Sequence, residues 1–191
     1  MKPKEKQVGW LGLLAPTLLL LALLVFGSLN PEFRFQEDFI SKLGAQGAPN
    51  ALGFNLIGFG AVGILLTGFG FGYGRLLHDR LLAILLAFFG IGFAFTGLPI
   101  DFEEADSAVS KAHIVAICLG LAAWLFGLSR LGANHNLEPR VRKRANRTAV
   151  LLVLAIIGFV AGLWSMPMTH RLVFLVVFGW TAITAVKLLK P

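Results

Sequence analysis

The side chains best suited to chemistry lie in and after one short acidic segment, residues 97–106. Asp101 is its first carboxylate, His113 follows in the next apolar run, and His170 lies near the C-terminal end of the chain. Two imidazoles and one carboxylate are enough protein ligands for a catalytic zinc ion with an open position for water. The residue types therefore predict Asp101, His113 and His170 as metal ligands and catalytic residues if the protein is a hydrolase. No pair of histidines has the i, i+4 spacing common in helical zinc sites.

A wider set of polar residues predicts a ligand-binding pocket in the same part of the molecule. These residues are far apart in the chain, but each lies in or near the outward end of an apolar run or in the adjoining loop. A buried polar group there costs free energy unless it has a partner, so we expect the set to pair internally or with a ligand. The predicted set is Ser41, Asn50, Asn55, Asp101, His113, His170 and Arg171.

Several functions are compatible with these residues. The leading hypothesis is a pocket that binds a lipid headgroup or a small amphiphile. A zinc-dependent membrane hydrolase acting on a lipid or an amide is the alternative, and whether the protein is an enzyme stays open. A haem-binding electron carrier would need two histidines facing each other within the bilayer, and the candidate pair, His113 and His170, lies at the edge. The histidines can also be hydrogen-bonded helix-end residues without a chemical role.

The composition places these residues in a membrane protein. Of the 191 residues, 57% are hydrophobic and 14% charged, against about 45–50% and 25% in soluble domains. Each of six apolar runs is long enough to cross a hydrocarbon core of roughly 30 Å. The sequence therefore predicts an all-α, six-transmembrane-helix bundle that forms one membrane-embedded domain over residues 1–191. The predicted spans are about 8–29, 51–73, 81–100, 107–131, 148–166 and 171–189.

The segment between the first two spans predicts a short helix lying in the membrane interface. Asn30 is a suitable N-cap, Pro31 fits the first helical position, and Gly44 is a typical stop. Between them, apolar and charged residues fall on opposite faces, and the segment is too short to span a membrane.

Charge sets the predicted orientation. With both termini in the cytoplasm, 13 of the 17 basic residues face the cytoplasm and 7 of the 10 acidic residues face outward, as the positive-inside rule requires. We therefore expect a multi-pass protein of the cytoplasmic (inner) membrane. The way in which the net charge of +7 is distributed along the chain predicts contact with membrane lipids and not with nucleic acid. Anionic headgroups are expected at the polybasic segment, which contains Arg140, Arg142, Lys143, Arg144 and Arg147.

The order of the motifs resembles a known membrane family. The motifs are Ser41-Lys42-Leu43-Gly44, then Pro49-Asn50, Asn55, Gly97-Leu98-Pro99-Ile100-Asp101, His113, and Arg171 with Trp180. This order resembles the bacterial and archaeal family catalogued as domain of unknown function 998 over nearly the whole chain. The resemblance implies a six-span bundle with the motif residues on one side, and it implies no activity.

A weaker similarity is to the ceramidase-like membrane hydrolases. It implies roles around zinc for Ser41, Asp101, His113 and His170. The chain departs from that pattern because it has six predicted spans instead of seven and lacks paired histidines at helical spacing in the last span.

Overall fold

The computed structural model describes residues 3–104 and 106–190, and this part of the chain contains six long helices, one short 3-10 helix and no strand. The predicted all-α class is confirmed. Residues Asn55–Ala61 form a π-helical stretch inside the second helix. The helices are α1 (Pro3–Ser28), α2 (Ala51–Leu76), α3 (Arg80–Phe95), α4 (Ala108–Ala133), α5 (Pro139–Val160) and α6 (Met166–Leu189).

Length and composition identify four of these helices as candidate membrane spans. They are α1, α2, α4 and α6, each with 24 or 26 residues and strongly apolar. Helix α3 has 16 residues, about 24 Å at 1.5 Å per residue, and α5 begins with a basic stretch before it becomes apolar. Several spans of this kind are typical of a multi-pass membrane protein.

The helices form a closed ring. Each packs against its neighbours in sequence, and α1 also packs against α6. The contact between α2 and α3 is the most extensive, and the contact between α5 and α6 is the smallest of these six. Helix α5 is therefore flanked by the most open packing in the ring.

An aromatic cluster fills the centre of the ring. The Trp180 ring of α6 packs at 5.8 Å from Trp124 of α4 and at 6.0 Å from Tyr73 of α2, measured between ring centroids. Phe89 of α3 lies 6.2 Å from Trp124. Edge-to-face aromatic pairs at such distances stabilise a core beyond the area they bury, so the aromatic side chains connect four of the six helices.

Glycines allow the close contact of α2 with α3. A methyl group at Gly63 would lie 2.6 Å from the Cα of Ala94, and one at Gly74 would lie 2.6 Å from the Cβ of Ala83. Both distances are well inside van der Waals contact. Small residues thus bring the two backbones together, as in other membrane helix pairs.

The prediction of an interfacial helix between Asn30 and Gly44 is wrong for most of that segment. Residues 31–38 form turns, and only Ile40–Gly44 is helical, as a short 3-10 helix. The reason is competition for backbone groups: Asn30 Oδ1 accepts the N–H of Glu32, and an Asp38 carboxylate oxygen accepts the N–H of Arg34.

Three predicted span boundaries also need correction. Helix α3 ends at Phe95 and not at residue 100, because the residue before Pro99 disfavours helical dihedrals. The polybasic segment lies in α5, which begins at Pro139, and not in a loop. The turn after the fifth predicted span falls at residues 161–165, because Ser165 caps α6 by accepting the Met168 N–H and Pro167 fits its first turn.

Candidate functional site

The acidic segment is folded by its own first carboxylate. Oδ1 of Asp101 accepts the N–H groups of Glu103 at 2.9 Å and Glu104 at 3.1 Å. The N–H of Asp101 donates to Oγ of Ser110 at 3.0 Å, and Ser110 is fully buried in the first turn of α4. Asp101 therefore shapes the loop and ties it to α4, while the carboxylates of Glu103 and Glu104 face solvent.

His113 is buried one turn further along α4. Its Nδ1 lies 2.9 Å from the carbonyl oxygen of Leu98. A carbonyl oxygen only accepts, so this geometry assigns the proton to Nδ1. The ring also meets Phe59 of α2 edge to face, with centroids 6.3 Å apart. His113 thereby fixes the segment before Asp101 against two helices, although its ring does not bond to the Asp101 carboxylate.

His170 lies near the start of α6 beside an aromatic stack. The Phe39 ring meets His170 edge to face at 5.0 Å and stacks on Phe102 at 6.4 Å. In the described part of the chain the imidazole of His170 makes no hydrogen bond to protein. Its two ring nitrogens therefore remain available to a ligand.

Arg171 binds the first interhelical loop to α6. Its guanidinium donates to the Phe35 carbonyl oxygen from Nε, at 2.7 Å, and from Nη2. It also donates to the carbonyl oxygens of Asp38, at 2.7 Å, and Pro167, at 2.8 Å. These carbonyls occupy the fork of donors that an anionic ligand would otherwise use. In this structure the residue holds the loop that carries Phe39 over His170.

The same loop contains a stabilised carboxylate. Burial acts to raise the pKa of Asp38, but the hydrogen bonds from the Arg34 N–H and the Lys42 ammonium outweigh it and hold that pKa below its ordinary value. The Lys42 Nζ lies 3.0 Å from the carboxylate. Asp38 is therefore charged at neutral pH and orders the loop through both contacts.

The remaining predicted residues form a second corner of this end. Asn55 is 8% exposed; its Nδ2 donates to the Gly44 carbonyl at 2.8 Å, and its Oδ1 is buried with no partner. Asn50 has a φ angle of 59°, which asparagine tolerates better than most residues. Ser41 is half-buried in the 3-10 helix. The Gln46 N–H donates to the Ile100 carbonyl at 2.9 Å, which joins this corner to the acidic segment.

A cavity of about 370 Å³ begins at His170, and we name it the His170 cleft. It lies between α4, α5 and α6, and Phe89 and Phe93 of α3 also line it. Apart from His170, Thr169 and Cys118, its lining is apolar. The Thr169 hydroxyl donates to the Ser165 carbonyl. The volume of the cleft falls in the range of roughly 300–1,000 Å³ found for small-molecule sites. His170 is the polar side chain of the cleft that makes no hydrogen bond to the described residues.

A metal site has no comparable geometric support. Among residues 3–104 and 106–190, no group of three or more His, Cys, Asp or Glu side chains is placed to hold a metal ion. The predicted set of Asp101, His113 and His170 is therefore not a ligand cluster in this arrangement.

The site contains residues that the sequence did not single out as ligand-binding. Phe39 packs on His170 and Phe102 stacks on Phe39, Ser110 holds the acidic segment, and Cys118 lines the cleft. The Ser107-x-x-Ser110 spacing, typical of a helix N-cap, was a usable signal for Ser110. The aromatic pair gave no signal, because its contact joins two separate loops.

At the opposite end, one ion pair closes the turn between α2 and α3. Nε of Arg130 lies 2.7 Å and 2.9 Å from the two carboxylate oxygens of Asp79, which also caps α3 by accepting the Leu82 N–H. Burial acts to raise the pKa of Asp79, but the Arg130 guanidinium and the Leu82 N–H outweigh it and hold that pKa below its ordinary value.

The fold and this site define an all-helical, multi-pass membrane protein with an aromatic-lined cleft at one end of the bundle. The sequence matches the family described as "Protein of unknown function (DUF998)" over residues 13–187. The chain belongs to this family, so the resemblance predicted from its motifs is confirmed. No curated protein and no solved structure matches the chain.

Proposed function

We propose that this protein crosses the cytoplasmic membrane six times, with both termini in the cytoplasm, and binds a single-chain amphiphile in the His170 cleft. The charge distribution supports the orientation. In it, the cytoplasmic side holds the basic N-terminal part of α5, the basic C-terminal end of α6 and the turn at Arg80. His170 and the acidic segment then face outward. Helix α3 is short, so the apolar residues that follow Phe95 complete its crossing of the membrane.

The proposed activity rests on one observation: the His170 imidazole lies at the entrance of an otherwise apolar cleft and makes no hydrogen bond within the described part of the protein. The ligand's tail would lie among Phe93, Phe159 and Phe174, and its head would bond to His170 beneath Phe39. A tail already in the bilayer gains little by entering another apolar space. Recognition must therefore depend on the head contact and on the shape of the cleft.

Photocrosslinking tests this proposal directly. The probe is a monoacylglycerol with a diazirine in its acyl chain, added to the purified protein in phosphatidylcholine nanodiscs. We expect crosslinked peptides from α4, α5 and α6 around the cleft, and competition by monooleoylglycerol. Replacing His170 by Leu removes the head contact, worth about 1 kcal/mol, and should lower cleft crosslinking roughly fivefold at subsaturating probe.

Two neighbouring substitutions provide a matched pair. Cys118→Phe places a ring in the cleft and should abolish crosslinking there. Leu119→Phe adds a ring at an exposed position outside the cleft and should leave crosslinking unchanged. Equal crosslinking in the two variants, or labelling spread evenly over the lipid-facing helices, would refute the proposal.

The zinc-hydrolase alternative lacks a cluster of metal ligands among the described residues. A catalytic zinc site needs three protein ligands around one metal, and the described residues do not offer such a group.

A further inference from the structure

A second groove lies between α5 and α6, and we name it the Arg144 groove. It has a volume of about 420 Å³ and runs from Arg144 and Ile183 at one end to Trp164 and Leu172 at the other. From Leu172 to Ile183 the helix rises about 16 Å at 1.5 Å per residue. This is close to the depth of one leaflet, half of a hydrocarbon core of roughly 30 Å.

At the polar end of the groove lies a cation with one unpaired nitrogen. Nε of Arg144 is buried and has no hydrogen-bond partner in the described part of the chain, while the same guanidinium also interacts with the Tyr73 hydroxyl of α2. A buried guanidinium nitrogen without an acceptor is costly. Arg144 lies among further basic residues on the first turns of α5, so the local charge favours an anion.

The middle of the groove is kept open by Gly179. A Cβ at this position would meet no atom within 4 Å. Protein packing therefore does not require glycine here, and glycine inside a helix costs roughly 0.5–1 kcal/mol relative to alanine. Its effect is to leave the α6 backbone uncovered along the groove.

We propose that the Arg144 groove binds one anionic glycerophospholipid. The phosphate accepts hydrogen bonds from the Arg144 guanidinium, and one acyl chain lies along the groove across Gly179 to Trp164. Charge complementarity selects an anionic headgroup, and the length of the groove selects a chain of one leaflet. This site is separate from the His170 cleft and lies on the opposite side of α5.

Native mass spectrometry with defined lipids tests the proposal. The delipidated full-length protein is incubated with equal amounts of dioleoyl phosphatidylglycerol and dioleoyl phosphatidylcholine. We expect one retained phosphatidylglycerol, preferred about tenfold, which corresponds to the roughly 1.4 kcal/mol of a charge-assisted contact. Arg144→Gln should reduce the preference to below about twofold.

The controls separate a built site from general charge attraction. Lys143→Gln removes the same unit charge from an exposed neighbour outside the groove and should retain the preference. Gly179→Leu places a side chain in the groove from a Cβ that meets no atom within 4 Å and should abolish retention of the lipid, whereas Gly179→Ala should reduce it less.

Three outcomes would overturn the assignment. The first is an equal loss of the phosphatidylglycerol preference in the Arg144 and Lys143 variants. The second is undiminished retention of the lipid by Gly179→Leu. The third is that the protein forms a dimer and that Gly179→Leu disrupts this dimer without affecting lipid binding. Because Gly179→Leu fills open space, it keeps the test decisive if Arg144→Gln does not fold.

Discussion

Replacing Gly44 by Ala should destabilise the protein through a single contact with Asn55. The new methyl group would lie 2.7 Å from Cγ of Asn55 and closer still to its Oδ1. Gly44 does not have a positive φ angle, so alanine meets no backbone penalty at this position. The entire effect should therefore come from displacement of the Asn55 amide.

The expected magnitude has two parts. Forcing a methyl group into a filled space costs about 1–3 kcal/mol. Displacing the amide also breaks the 2.8 Å bond from Nδ2 to the Gly44 carbonyl, and an unsatisfied buried polar group costs about 1–3 kcal/mol. We expect Gly44→Ala to lower the free energy of unfolding by about 2–6 kcal/mol in total. Asn55→Ala alone should cost about 1 kcal/mol, since Oδ1 is already without a partner.

A double-mutant cycle measures this coupling. Unfolding of the wild type, both single variants and the double variant is followed in mixed micelles with increasing dodecyl sulfate, and Tm serves as a second readout. In the Asn55→Ala background, Gly44→Ala should cost less than about 1 kcal/mol, because the clashing amide is gone. An equal cost of Gly44→Ala in both backgrounds, within about 0.5 kcal/mol, would rule out the clash with Asn55.

Two further predictions concern the loop and the ion pair. Arg171→Lys keeps the charge but loses the fork of donors to Phe35 and Asp38, so hydrogen exchange of residues 33–39 should become at least about tenfold faster; unchanged exchange would contradict the bridging role. The folded pKa of Asp79 is lowered, so its pairing with Arg130 contributes stability above the unfolded pKa of about 3.9, and that stability is lost as the pH falls through the folded value. Asp79→Asn should therefore lower Tm at pH 7 and weaken its acid dependence below about pH 4, as measured by thermal unfolding across pH; parallel curves for variant and wild type would argue against it.

Apolar periodicity and length predicted much of the architecture. Runs such as 8–29 and 107–131 correspond closely to α1 and α4, since a membrane span needs a continuous apolar segment. The predicted helix boundaries were wrong where local sequence signals competed with tertiary contacts. Asn30 and Pro31 are a sound helix start by local rules, yet Arg171, far along the chain, binds the carbonyls of Phe35 and Asp38.

The candidate site was predictable in its location but not in its contacts. The topology predicted from the sequence puts Asp101, His113 and His170 at one end of the helices, because each would lie near the same end of a span. Their partners could not be inferred from spacing. Asp101 bonds within its own loop, His113 bonds to a main-chain carbonyl, and His170 faces Phe39; these choices depend on how two separate loops fold over the bundle.

By itself, the sequence determined that the chain is helical, apolar enough for a membrane, and a member of its family, because these properties depend on composition, length and motif order. Which polar groups are left for a ligand depends on the tertiary structure. The Arg171 guanidinium is occupied by main-chain carbonyls, whereas His170 and Nε of Arg144 make no hydrogen bond to protein among the described residues. The physical reason is that a hydrogen bond needs two groups at about 3 Å, and the packing of α5 and α6 sets those distances.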